Sequence, residues 1–204
     1  MKRILVASLF ILGSLASHAQ FRVGVKGGLN FSDQWRQDNG HSVKTKMHTE
    51  LHAGVIADVK IWKFIYLQPA VMYSRKGATH KSESFADTKV KMNYIEVPLN
   101  VVYKKEVMFG KIFAGGGPVI GYGFGGEMVQ NGQSKKLYSD DIRNFKHEDI
   151  SANIVAGVEF NNGLFSSISY QHGFTDIYKT DEEKIRNNSF AISVGYFFGR
   201  NNKK

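Results

Sequence analysis

Cysteine is absent from the 204 residues, and its absence excludes a disulfide framework, thiolate metal sites, a cysteine nucleophile and a lipid-modified N-terminal cysteine. An exported lipoprotein is therefore ruled out. Proline occurs three times and tryptophan twice, and no Pro- or Ser-rich linker divides the chain, so one domain is expected. After Phe21 no run stays apolar for the roughly 20 residues that a spanning helix needs. Mean hydropathy is −0.28, but alternation dilutes the hydropathy of transmembrane strands, so the low value does not argue against a barrel. Charge of one sign is not concentrated either. Residues 125–148 balance Lys135, Lys136, Arg143 and Lys146 with Glu127, Asp140, Asp141 and Glu148, whereas a nucleic-acid surface gathers Lys and Arg on one face among aromatics. Nucleic acid is not an expected partner.

The start of the chain has its own pattern. Lys2 and Arg3 precede an apolar run from Ile4 to Ala16, followed by Ser17, His18 and Ala19 as a small-x-small cleavage signature. The run is too short to cross a bilayer, so residues 1–19 read as a secretory signal peptide and residues 20–204 as the mature domain. Loss of Lys2 and Arg3 lowers the formal charge from +9 by two, to +7.

The mature chain alternates apolar and polar residues over eight stretches: 21–31, 50–61, 65–75, 91–103, 111–124, 149–161, 164–175, and a last one closing on Phe190, Ile192, Val194, Tyr196 and Phe198. Side chains on a strand point to opposite faces in turn, so one phase can meet lipid and the other an interior. The connections alternate in length: long at 32–49, short at 62–64, long at 77–90, short at 104–110, long at 125–148, tight at 162–163 and long at 176–188. Outer-membrane barrels pair short periplasmic turns with longer outer loops. The fold class expected is all-β, an eight-stranded antiparallel up-and-down transmembrane β-barrel in the cell outer membrane, with both termini periplasmic. Phe21, Tyr103, Phe160 and Phe198 would form one aromatic girdle, and Phe31, Tyr73, Tyr122 and Phe174 the other.

Pro69, Pro98 and Pro118 fall inside proposed strands, and a closed barrel offers no free edge to accommodate a missing donor. A bulge or a missing ladder bond is expected there, with Pro69 and Pro98 at similar depth.

Around these prolines the chain resembles a known family, the Bacteroidetes outer-membrane β-barrel proteins labelled PorT-like or porin-like. The matching residues are Gly24, Lys26, Gly28, Leu29 and Asn30 in GVKGGLN, and Leu67, Pro69, Tyr73, Ser74 and Gly77 in LQPAVMYSRKG. Tyr94, Ile95, Glu96, Pro98 and Leu99 in YIEVPLN join them, as do Ala114 to Pro118 with Gly121 in AGGGPVIGYG. The resemblance covers essentially the whole mature chain and implies an eight-stranded barrel in which the prolines belong to the fold. Its motifs are those of the general barrel family, and nothing singles out the type IX secretion component itself.

Inward charges form the candidate site. Arg22, Lys26, Asp58, Lys60, Lys111 and Glu159 gather toward the periplasmic end, with Glu96 further in. Eight strands leave an interior only wide enough for side chains, so opposite charges there are expected to pair and plug the lumen rather than line a channel. Inward glycines would make room for bulky neighbours such as Tyr94 and Phe113. No Lys-Ser or Lys-Thr pair follows the glycines of residues 115–126, so no nucleotide is expected. The histidines carry no metal spacing. Ser74, His80, Asp140, Asp141 and His172 could be assembled into a catalytic set only on paper, and no enzymatic activity or cofactor is expected.

The leading reading is a structural or interaction barrel whose specificity lies in four long outer loops. Its expected partners are outer-membrane lipid and lipopolysaccharide, with other envelope proteins possible, and the expected state is a monomer. An envelope transport or secretion component is the alternative. A soluble lipocalin-like barrel would need apolar residues inside and polar ones outside, the reverse of what the alternation shows.

Overall fold

A computed structural model describes residues 21–38, 41–43, 45–80, 88–130, 133–137, 146–176 and 183–199. The proposed signal peptide lies outside them. The chain forms β1 (Phe21–Asp38), β2 (His41–Val43), β3 (Thr45–Trp62), β4 (Ile65–His80), β5 (Thr88–Val107), β6 (Gly110–Gln130), β7 (Gln133–Lys136), β8 (Glu148–Phe160), β9 (Leu164–Gly173) and β10 (Glu183–Phe198). Eight long strands run in chain order, each antiparallel to the next, and β10 pairs back with β1 along Val23↔Phe198 to Asp38↔Glu183. The barrel is therefore closed. The short strands β2 and β7 only extend the β1 and β6 hairpins at one end.

The register fixes the barrel's shape. Stepping across from Phe21 leads through Val59, Leu67, Val101, Gly116, Ile154, Tyr170 and Phe190 and returns to β1 at Phe31, ten residues beyond the start. A stagger of ten over eight strands, with a rise of about 3.3 Å per residue and a spacing of about 4.8 Å, tilts the strands by about 41° and sets a backbone radius of about 8 Å. Each residue then climbs about 2.5 Å along the axis.

Every residue of that circuit except Gly116 carries an apolar or aromatic side chain directed away from the lumen. Val23, Val25, Val55, Ile154, Ile192 and Val194 continue the outer face between two aromatic belts. At the end holding the short turns, Phe64 meets Tyr103 at 5.8 Å, Phe109 meets Phe160 at 6.1 Å and Tyr196 meets Phe198 at 5.4 Å. At the other end Phe31 meets Phe190 at 6.2 Å, Tyr73 meets Phe124 at 6.1 Å and Tyr122 stacks on His147 at 5.2 Å. Ten residues separate Phe21 from Phe31 along β1, which spans about 25 Å of axial rise, the height of an outer-membrane apolar band.

The three prolines interrupt the ladder without shifting it. Pairing skips from Ile56↔Ala70 to Val59↔Leu67 beside Pro69, from Pro69↔Leu99 to Met72↔Glu96 beside Pro98, and from Pro98↔Val119 to Val101↔Gly116 beside Pro118. Each gap is a lost donor rather than a bulge, and Pro69 and Pro98 lie one row apart. The true register shifts fall elsewhere, between Met47 and His52, between Lys60 and Trp62, and at Asn93/Tyr94.

Several expected boundaries are corrected. β1, β3, β4, β5, β6 and β10 continue well into the stretches 32–49, 77–90, 125–148 and 176–188, and the connection expected at 104–110 is the two-residue turn Met108–Phe109, since β5 runs to Val107. Beyond the apolar band the outer face of a strand meets water, so the alternation that marks a lipid-facing strand fades while the pairing continues.

Candidate functional site

The inward phase lines the lumen, and its side chains lie in layers. Toward the turn end, β1 supplies Arg22, β3 Asp58, β5 Lys104 and β8 Glu159, all pointing into a space about 8 Å in backbone radius. Arg22 Nη2 reaches Asp58 Oδ2 at 2.5 Å and its Nη1 reaches Glu159 Oε1 at 2.6 Å. Lys104 Nζ reaches Asp58 Oδ1 at 2.7 Å and Glu159 Oε2 at 2.8 Å. Two cations and two anions thus alternate in a closed ring across the lumen. Asp58 and Glu159 are fully buried and Lys104 is 2 % exposed, and Gln68 Nε2 adds a hydrogen bond to Asp58 Oδ1 at 2.9 Å.

Aromatic faces hold the ring. Lys104 Nζ sits 4.8 Å from the Tyr66 centroid, 5.1 Å from Phe197 and 5.6 Å from Phe113, and the Arg22 guanidinium lies 4.8 Å from Phe197. A buried cation gains from such π faces when it is desolvated. Space for these rings comes from glycine: a Cβ at Gly157 would lie 2.6 Å from Phe113 Cζ. At Gly121 a Cβ would lie 3.6 Å from the Tyr94 ring, an ordinary contact, so an inward glycine leaves room that Phe113 needs but none that Tyr94 requires.

Toward the loop end the inward side chains form a second layer. Lys76 Nζ bonds Glu96 Oε1 at 2.6 Å, and Gln171 Nε2 donates to Glu96 Oε1 at 2.9 Å and to Ser151 Oγ at 2.6 Å. Asn187 Nδ2 joins Asp149 Oδ2 at 2.9 Å and Tyr94 Oη at 3.2 Å. Beyond them Met92, Val90 and Leu137 are buried. Where β3 shifts register, side chains of β1 replace the lost ladder bonds of β4: Asn30 Nδ2 donates to the Arg75 carbonyl at 3.2 Å, and Ser32 Oγ donates to the Gly77 carbonyl at 3.0 Å while accepting from its N–H at 2.9 Å.

Between the layers lies a cavity of about 50 Å³ lined by Lys26, Asn30, His52, Glu96, Ser169, Ser189 and Ser193, with Met72, Pro98 and Val119 on the side of the prolines. His52 Nε2 and Ser193 Oγ are 3.0 Å apart, and His52 Nδ1 is buried without a partner.

Of the seven residues expected to form the lumen charge network, Arg22, Asp58 and Glu159 meet in the ring, Glu96 joins the upper layer and Lys26 faces the cavity between. Lys60 and Lys111 are only half-buried near the turn end, and neither makes an ion pair among the described residues; Lys111 Nζ lies 5.7 Å from the Tyr66 ring. Sequence reasoning missed Lys104 and Lys76. Both continue the inward phase of their strands, Lys104 two residues beyond Val102 and Lys76 two beyond Ser74, so extending the alternation by one step would have found them. The two described members of the supposed catalytic set, Ser74 and His172, lie on opposite faces of the wall. Ser74 points inward and accepts from Asn30 Nδ2 at 2.8 Å, whereas His172 lies against Phe174 on the outer side. The side chains of His80, Asp140 and Asp141 lie outside what the structure describes.

An apolar outer face, a polar and ion-paired lumen, and closure without a free edge define a membrane-spanning β-barrel. Residues 15–179 match the family model described as outer membrane protein beta-barrel domain. The chain belongs to that family, and the outer membrane is where its barrel resides. Among solved structures it is similar to Ail, the attachment invasion locus protein of Yersinia pestis (14% identity, 87% of this chain and 98% of that one, TM-score 0.45). It is also similar to Neisserial surface protein A (16% identity, 87% and 97% covered, TM-score 0.48) and to OprG from Pseudomonas aeruginosa (12% identity, 89% and 97% covered, TM-score 0.47). No curated protein matches the chain.

Proposed function

We propose that the protein is a closed-lumen scaffold of the outer membrane: a plugged barrel that catalyses nothing, passes no bulk solute, and presents its long-strand end to partners outside the cell. The observation that carries this is the ring of Arg22, Asp58, Lys104 and Glu159, whose four contacts span 2.5 to 2.8 Å across the lumen. Opening a water path would separate these charges from one another, and breaking a buried pair costs about 3–5 kcal/mol. The first and last described residues, Phe21 and Gly199, lie at the end of the short turns, which supports a periplasmic position for both termini. The motifs shared with the PorT-like group support placement within it.

Liposome swelling tests the closed lumen. Vesicles carrying the folded protein should swell in a small sugar no faster than empty vesicles, and porin-like swelling would overturn the proposal. Surface proteolysis of intact cells tests the orientation: cleavage should fall in the connections between β1 and β3, β4 and β5, β6 and β8, or β9 and β10, and spare the turns at 63–64, 108–109 and 161–163.

A further inference from the structure

From the turn-end ring to the loop-end layer the lumen holds four cations, Arg22, Lys26, Lys76 and Lys104, and four carboxylates, Asp58, Glu96, Asp149 and Glu159, but not all of them meet in contact pairs. The lower ring holds two cations and two anions, and the Lys76 ammonium holds Glu96. Lys26 remains. It lies on β1 between Phe21 and Phe31, so its Cα sits close to the middle of the apolar band, and its side chain lines the cavity between the two layers. Among the described residues it forms no ion pair. The cavity's one carboxylate, Glu96, already accepts from Lys76 at 2.6 Å and from Gln171 at 2.9 Å. Asp149, the remaining buried carboxylate, belongs to the loop-end layer and accepts from Asn187. By register its Cα lies about 15 Å farther along the axis than that of Lys26, level with that of Lys76, and Glu96 lies between the two heights.

An ammonium held at mid-bilayer without a contact ion pair requires a counter-charge or dense solvation. We infer that the mid-lumen cavity is a binding site for one small monovalent inorganic anion of the halide class, held by the Lys26 ammonium. The remaining donors are at hand: Ser169 and Ser189 line the cavity, and neither hydroxyl has a protein partner among the described residues. Size sets the class of ligand. A cavity of about 50 Å³ accepts about three water-sized particles at about 15 Å³ each, so a halide with a water or two fits. A sugar, a nucleotide or a carboxylic acid of several carbons does not. Lying between the ring and the loop-end layer, the ion would act as part of the plug.

The inference rests on the closed-lumen reading, and crystals of the whole mature barrel grown with bromide as the only halide separate the two. The expected result is an anomalous bromide peak within hydrogen-bonding reach of Lys26 Nζ, and its loss in Lys26→Met. Unfolding offers a second readout. Chloride should raise the midpoint of the wild-type protein relative to sulfate of equal ionic strength and leave Lys26→Met unmoved. Cavity density with no anomalous signal in the wild type would overturn the anion site, since only water would then be bound. The closed-lumen reading would still stand unless the same protein swelled liposomes. If Lys26→Met does not fold, the wild-type bromide map alone decides.

Discussion

Replacing Lys104 with methionine is the sharpest perturbation of the ion-pair ring. Methionine keeps the length and most of the volume of the side chain, so packing against Tyr66, Phe113 and Phe197 is largely preserved while the charge is lost. Two contacts disappear, at 2.7 Å to Asp58 and 2.8 Å to Glu159, both carboxylates being fully buried. Arg22 is then left between two anions, and one net negative charge stays buried against aromatic faces. Removing one partner of a buried ion pair costs about 3–5 kcal/mol, because the desolvated partner remains. A whole domain is commonly stable by about 5–15 kcal/mol, so the loss should be large. The assay is urea unfolding in lipid vesicles, followed by the heat-modifiable gel mobility of the folded barrel. Lys104→Met/Glu159→Gln restores neutrality, leaving the Arg22–Asp58 pair, and should regain more than half of the lost stability. A Lys104→Met variant within about 0.5 kcal/mol of wild type, the range of an ordinary surface substitution, would refute the reasoning. So would a double variant no better than the single one.

Three further outcomes follow from the same geometry. Ile154→Arg places a charge on the lipid face near mid-band and should cost about 2–4 kcal/mol in vesicle unfolding, whereas Ser169→Ala, facing the cavity, should cost far less; equal costs would contradict the assignment of faces. Gly157→Val drives a side chain into Phe113 and the Ser166 carbonyl and should destabilise by about 1–3 kcal/mol through overpacking, read as a smaller folded band at a given urea concentration. Pro118→Ala supplies the missing N–H opposite Leu99. That new amide should be protected in hydrogen exchange by NMR, and rapid exchange would show that the ladder gap has another cause.

Much of the fold could be read from the chain because the membrane imposes it. Strands with one face toward lipid and one toward a crowded lumen must alternate, and the stretches from 21–31 to 190–198 do. Strand ends were harder to read, since β5 and β6 continue past the apolar band, where neither face is selected for lipid. The candidate site was legible as a set of inward charges but not as a set of pairs. Arg22 meets Glu159 across 137 positions of sequence, and only barrel closure with its ten-residue stagger brings β1 beside β8 in the lumen. Lys104 was hidden for a simpler reason. A lysine followed by Lys105 and Glu106 resembles a solvated turn, yet the strand runs on to Val107. The role of Asn30 and Ser32 in replacing ladder bonds on β4 depends on a register shift in β3, which no local pattern announces.

The most direct test of the central claim is single-channel recording from the purified, folded protein in planar bilayers. A lumen crossed by the Arg22–Asp58–Lys104–Glu159 ring predicts a quiet baseline across the accessible voltage range. Stable conductance steps of the size shown by open general porins, carried by protein with the folded gel mobility, would contradict it.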